Sequence, residues 1–147
     1  VRVAVLNGPN LNLLGVREPE VYGKQTLADI ERAVRSKAER AKVEIEWRQT
    51  NDEGEFVDLV QGLRGTADGA LVNAAAFTHT SLAIRDAFLA VRVPFVEVHL
   101  SNIFAREPER RRSLLADLAV GIVAGFGPLS YLLALEALLD HLGRRGS

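Results

Sequence analysis

The sequence predicts an α/β fold, a doubly wound sheet of five parallel strands in the flavodoxin-like order 2-1-3-4-5. Three observations point there. Short apolar runs alternate with longer stretches of three-to-four periodicity, so that β-α repeats five times. Most of the strand runs are continuously apolar, as strands covered on both faces are. The unusual polar clusters fall just after strands, where open α/β sheets bind ligands.

Taken in order, Val3 to Leu6 is the first strand and ends at Asn7-Gly8. Leu27, Ile30, Val34, Ala38 and Ala41 place an amphipathic helix over Thr26 to Ala41. Val43, Ile45 and Trp47 alternate with Glu44, Glu46 and Arg48, which predicts an edge strand with one wetter face. Gln49 to Gly54 is a polar turn. Phe56, Leu59, Val60 and Leu63 give a second helix closed near Gly65. Gly69 to Asn73 is the third strand. Thr78 to Ser81 offers capping oxygens to a helix carrying Ile84, Ala87, Phe88 and Val91. Pro94 to Val98 is the fourth strand and runs into His99-Leu100-Ser101-Asn102. A charged segment, Glu107 to Arg112, precedes a fifth strand over Leu118 to Ala124. Leu129 to Leu142 is the last helix, apolar over more than one stripe, which suits deep burial or self-association.

The totals narrow the function classes. The chain has 147 residues, so one domain is expected, with a lid loop at about 15–23. A formal net charge of −1 gives no field that would attract nucleic acid or an anionic membrane. There are no cysteines and three scattered histidines, so neither a thiol nucleophile nor a bound metal is expected. No apolar run approaches a membrane span, and a cytoplasmic location is the expectation.

The stretch Asn7 to Gly23 is a long loop after the first strand, and loops of this kind are often functional. Arg17 and Tyr22 lie on it between Gly15 and Gly23. A tyrosine ionises near pH ~10, and a neighbouring guanidinium favours the phenolate. Lowering that value by ~2–3 units takes roughly 3–4 kcal/mol, much of which one close arginine supplies in a dry site. The plainer alternative is a surface tyrosine beside a solvated arginine. Glu97 and His99, two apart on a strand, share a face, and a carboxylate there orients an acid–base imidazole; the alternative is a histidine that caps the strand end. Asn73 and His79 flank the third loop as candidate hydroxyl or carboxylate ligands, or as capping residues. Leu100 and Ser101 offer backbone N–H groups to an anion. Arg110 can meet a carboxylate as a fork, or belong to a solvated face. Asp86 sits where an exposed ion pair with Arg85 or Arg92 is the modest reading. The chain has no G-x-x-x-x-G-K-[ST], no G-x-G-x-x-G after the first strand and no G-x-S-x-G, which weakens nucleotide binding and serine hydrolysis.

Asn7-Gly8-Pro9-Asn10-Leu11-Asn12-Leu13-Leu14-Gly15, then Arg17-Glu18-Pro19 and Tyr22-Gly23, resemble the signature of the type II 3-dehydroquinate dehydratases. So do Asn73 with Thr78-His79-Thr80-Ser81, Arg85-Asp86-Ala87, Glu97-Val98-His99-Leu100-Ser101-Asn102 and Arg106-Glu107, in order and over nearly the whole chain. The resemblance implies dehydration of 3-dehydroquinate to 3-dehydroshikimate, without cofactor or metal. It implies Tyr22 as phenolate base, Arg17 as the group that lowers its pKa, Asn10 as holder of an enolate-stabilising water, and His99, backed by Glu97, as the acid; Arg106 assists. It implies that Asn73, His79, Asp86, Leu100, Ser101 and Arg110 bind the substrate. Asp86 is then expected to serve an adjacent subunit, in a dodecamer of trimers. Two other readings are a small-anion binding module on the same fold and a Schiff-base dehydratase. Tyr22 and Arg17 speak against the first. The second needs a buried lysine, and Lys24, Lys37 and Lys42 all sit in polar contexts.

Overall fold

The computed structural model describes residues 1–16, 20 and 24–145. Its centre is a parallel sheet of β1 (Arg2–Asn7), β2 (Glu44–Gln49), β3 (Gly69–Asn73), β4 (Phe95–His99) and β5 (Gly121–Ala124), in the order β2-β1-β3-β4-β5. The predicted order is the observed one. The crossovers carry α1 (Leu27–Arg40), α2 (Glu53–Gln61), the single turn α3 (Phe77–Thr80) and α4 (Leu82–Val91), and α5 (Leu129–Arg145) closes the chain.

Period-two alternation splits the core into two layers. Val3, Val5, Leu71, Val96 and Val98 face α1 and α5, meeting Ile30, Val34, Leu135 and Leu138. Ala4, Leu6, Ala70, Val72 and Phe95 face α2 and α4, meeting Phe56, Val60, Ile84 and Phe88. The Phe88 and Phe95 rings stack at 4.2 Å between centroids. Each of these large side chains contributes about 1.5–3 kcal/mol by leaving water.

Helix starts follow local chemistry. Thr26 and Asp29 form a reciprocal capping box at α1. The Asp52 side chain caps α2, which therefore begins at Glu53, inside the expected polar turn, and ends at Gln61. Ser81, not Thr78, caps α4 by accepting from Ile84 N–H. The β-α alternation lapses after β4, where two 3-10 turns, Ile103–Ala105 and Pro108–Arg110, stand in place of an α-helix. Pro108 lacks the N–H that a continuing helix would use. The fifth strand is shorter than expected. Leu118 and Ala119 close a turn by donating to the Leu115 carbonyl, Val120 N–H donates to the Phe95 carbonyl of β4, and the register with β4 runs from Gly121 to Ala124. An apolar run reads alike in a strand and in a buried turn, so the sequence alone does not separate them.

Candidate active site

β1 and β3 are neighbours paired Asn7 with Asn73, so the loops after them meet over one crevice. Gly8 fixes how close they come. A Cβ on Gly8 would lie 2.3 Å from the Ala74 carbonyl oxygen, and Gly8 N–H donates to the Asn73 carbonyl at 2.8 Å. Only glycine permits that approach. The cleft above this contact has a volume of about 170 Å³. Asn10, Asn73, His79, His99, Arg106 and Arg110 are among the side chains lining it, with Leu100 and Ser101.

The first loop is pinned from β2. Asn10 adopts φ 69°, a left-handed conformation asparagine tolerates better than most residues. Its N–H donates to Asn51 Oδ1 at 2.9 Å, and Gln49 Nε2 reaches the same oxygen and the Gly8 carbonyl, each at 3.1 Å.

A buried chain of polar side chains underlies the crevice. Asn73 Nδ2 donates to Tyr131 Oη at 2.9 Å, Tyr131 donates to Asn7 Oδ1 at 2.6 Å, and Asn7 Nδ2 donates to the Arg48 carbonyl at 2.9 Å. Asn73 Oδ1 accepts from Ala75 N–H, holding Ala75 at φ 51°. Burial pushes the Tyr131 hydroxyl well above its ordinary ionisation range, with the bond from Asn73 opposing in part. Tyr131 is thus a fixed, neutral link and no proton carrier.

Phe95, Glu97 and His99 share the face of β4 turned to α2 and α4. Glu97 is fully buried and His99 nearly so. His99 Nε2 and Glu97 Oε2 are 2.5 Å apart. A carboxylate accepts, so Nε2 carries a hydrogen and Nδ1 is left as the ring's other nitrogen. The second carboxylate oxygen, Oε1, accepts from Ser113 Oγ at 2.8 Å. His79 Nδ1 lies 2.7 Å from the Arg112 carbonyl. A carbonyl also only accepts, so that nitrogen bears the hydrogen and Nε2 is the remaining one.

The segment that carries Ser113 is stitched to the helices beneath it. Leu114 N–H donates to the Thr78 carbonyl, and Arg85 Nη1 donates to the Leu114 carbonyl at 2.9 Å. Arg85 also holds Asp117 as a two-pronged ion pair at 2.6 and 3.0 Å. That pair draws the Asp117 carboxyl below its ordinary range. Arg85 therefore pairs with Asp117, not with Asp86. Arg110 pairs with Glu107 at the cleft rim.

The structure thus brings Asn10, Asn73, His79, His99, Leu100, Ser101 and Arg110 to one cleft, with Glu97 directly behind His99. Asp86 is exposed on α4 and is not among the cleft-lining residues of its own chain. Tyr22 and Arg17, and with them most of the 15–23 lid, lie outside the described residues. Ser113 and Tyr131 were missed from the sequence. The available signal was general: a tyrosine in a leucine-rich buried helix needs a partner for its hydroxyl.

The profile of the family described as dehydroquinase class II matches residues 1–139. The chain belongs to the class II dehydroquinase family. Similar proteins include the 3-dehydroquinate dehydratase of Parasynechococcus marenigrum (strain WH8102), 55% identical over 99% of this chain and 100% of the relative. That of Synechococcus sp. (strain WH7803) is 56% identical over 97% of each. Among solved structures, the type II dehydroquinase of Butyrivibrio crossotus DSM 2876 superposes with a TM-score of 0.91 at 35% identity, covering 94% of this chain and 97% of that one. As a class II dehydroquinase the chain is a hydro-lyase. The resemblance read from the opening loop and from the strand ends is borne out. No helix among the described residues is long and apolar enough to cross a membrane.

Proposed function

We propose that this dehydroquinase converts 3-dehydroquinate to 3-dehydroshikimate, a step of the shikimate pathway, by a tyrosinate base and a histidine acid acting through an enolate. The observation that carries the acid half is the buried Glu97–His99 pair opening on the cleft. Tyr22, as phenolate beside Arg17, removes the proton α to the ketone. The electron pair passes into the carbonyl to give an enolate, whose oxygen meets a water held by Asn10. The enolate then re-forms the ketone and expels the β-hydroxyl, which takes the proton from His99 Nδ1 and leaves as water. Glu97 stabilises the imidazolium beforehand and orients the ring. Proton transfer from Tyr22 back to His99, directly or through solvent, restores both groups.

Asn73 and His79 bind ring hydroxyls. The backbone N–H groups at Leu100 and Ser101, with Arg110, take the carboxylate, and Arg106 stands beside them. The protein assembles as a dodecamer of trimers in the cytoplasm, and Asp86 serves a neighbouring copy's cleft. Its exposure away from its own cleft supports this, as do the exposed Val120, Ile122, Phe126, Leu129 and Leu133 around the edge strand β5.

The test is the absorbance of the conjugated enone as wild type and Tyr22→Phe turn over 3-dehydroquinate side by side. Product from wild type and none from a folded Tyr22→Phe is expected. A variant that keeps its rate removes Tyr22 as the base, and a wild type without product removes the reaction.

A further inference from the structure

Glu97 presents two oxygens in a fully buried position, and His99 uses only one of them. A carboxylate left with a bare oxygen there would be costly. The other oxygen meets Ser113 Oγ at 2.8 Å. That hydroxyl cannot easily turn elsewhere, because its oxygen also accepts from Leu115 N–H at 3.1 Å and Ala116 N–H at 3.0 Å. With its lone pairs engaged by two backbone donors, its hydrogen is directed at the carboxylate. The serine is itself held in place: Leu114 is bonded to Thr78, and Arg85 grips Asp117 and the Leu114 carbonyl.

We infer that Ser113 is a positioning residue for the proton donor: its hydroxyl satisfies and aims the Glu97 carboxylate, and through Glu97 it supports the His99 imidazole that gives up the proton. This rests on the reading of His99 as the acid. Among the described residues, the charged and titratable groups that share the cleft lining with His99 are His79 on α3 and Arg106 and Arg110 after β4. Within the sheet Glu97 is flanked in register by Val72 and Ile122. The hydroxyl is thus the polar group on the far side of the carboxylate from the imidazole.

The test uses the intact protein with 13C-labelled histidine. The chain has three histidines, His79, His99 and His141, so each resonance can be assigned by substitution. In Ser113→Ala the His99 midpoint moves to lower pH by about one unit, while those of His79 and His141 stay. The alkaline limb of kcat moves with it, lowering kcat about tenfold at the alkaline end with KM little changed. Ser113→Thr, which keeps the hydroxyl, restores both. Should Ser113→Ala fold poorly, Ser113→Cys keeps the volume with a weaker donor and gives an intermediate shift. A lowered melting temperature with an unmoved His99 midpoint overturns the proposal and leaves Ser113 as a turn cap. A His99 shift without any change in the kcat limb upholds the positioning and overturns His99 as the acid.

Discussion

Replacing Tyr131 by Phe isolates the buried polar chain beneath the cleft. The phenyl ring keeps its place against Trp47, whose centroid lies 5.8 Å away, so packing is retained. What is lost is one donor to Asn7 Oδ1 and one acceptor for Asn73 Nδ2, both on buried side chains. Each orphaned partner costs about 1–3 kcal/mol, and removing the buried hydroxyl returns about 1 kcal/mol of its own desolvation. The net expectation is a loss of roughly 2–3 kcal/mol. For a domain of this size that lowers the melting temperature by about 5–10 °C. Urea unfolding at a fixed protein concentration measures it, since self-association would shift the midpoint. Asn73 is also freed to swing, so KM rises while the kcat of bound substrate changes less. A loss below about 0.5 kcal/mol, with unchanged KM, would refute the view that these three side chains act as one unit.

Other outcomes follow from the same geometry. Tyr22 and Tyr131 are the only tyrosines, and burial holds Tyr131 protonated, so ultraviolet titration of the folded protein below pH ~11 should register one ionising phenol, not two. Because the folded chain keeps Tyr131 neutral where the unfolded chain ionises it, this stabilisation is complete below the ordinary value of 10.0 and is lost as pH rises above it, visible as a falling urea midpoint. Glu97→Gln keeps the shape but not the charge, and kcat should drop about 10²-fold with the fold retained, by steady-state assay and circular dichroism. Gly8→Ala drives a methyl group into the Ala74 backbone, so both stability and turnover should fall, by more than ~2 kcal/mol in chemical unfolding.

Much of the architecture could be read from residue spacing, because each strand and helix is specified by its own local pattern. The apolar steps of α1 and the wet face of β2 needed no tertiary information. The polar residues after β1, β3 and β4 share one site because parallel strand order puts those ends on one edge. Other features depend on contacts distant in sequence. Ser113 sits among arginines and leucines and acquires its meaning only from Glu97, sixteen residues away. Tyr131 meets Asn7 across 124 residues. Leu118 and Ala119 read as strand in the sequence because hydrophobicity alone does not distinguish a paired backbone from a turn folded onto the same core.

The ties between residues 112–117 and the helices below them bear on when the cleft loses its freedom. His79 holds Arg112, Thr78 holds Leu114, and Arg85 holds Asp117, so this stretch is ordered as the chain folds. The conformational entropy of aiming Glu97 and His99 is therefore spent at folding, and an arriving ligand does not have to supply it. Loosening Arg85, a side chain that lines no part of the cleft, would transfer that cost to the binding step. Affinity would fall even though every group in contact with the ligand remained in the sequence.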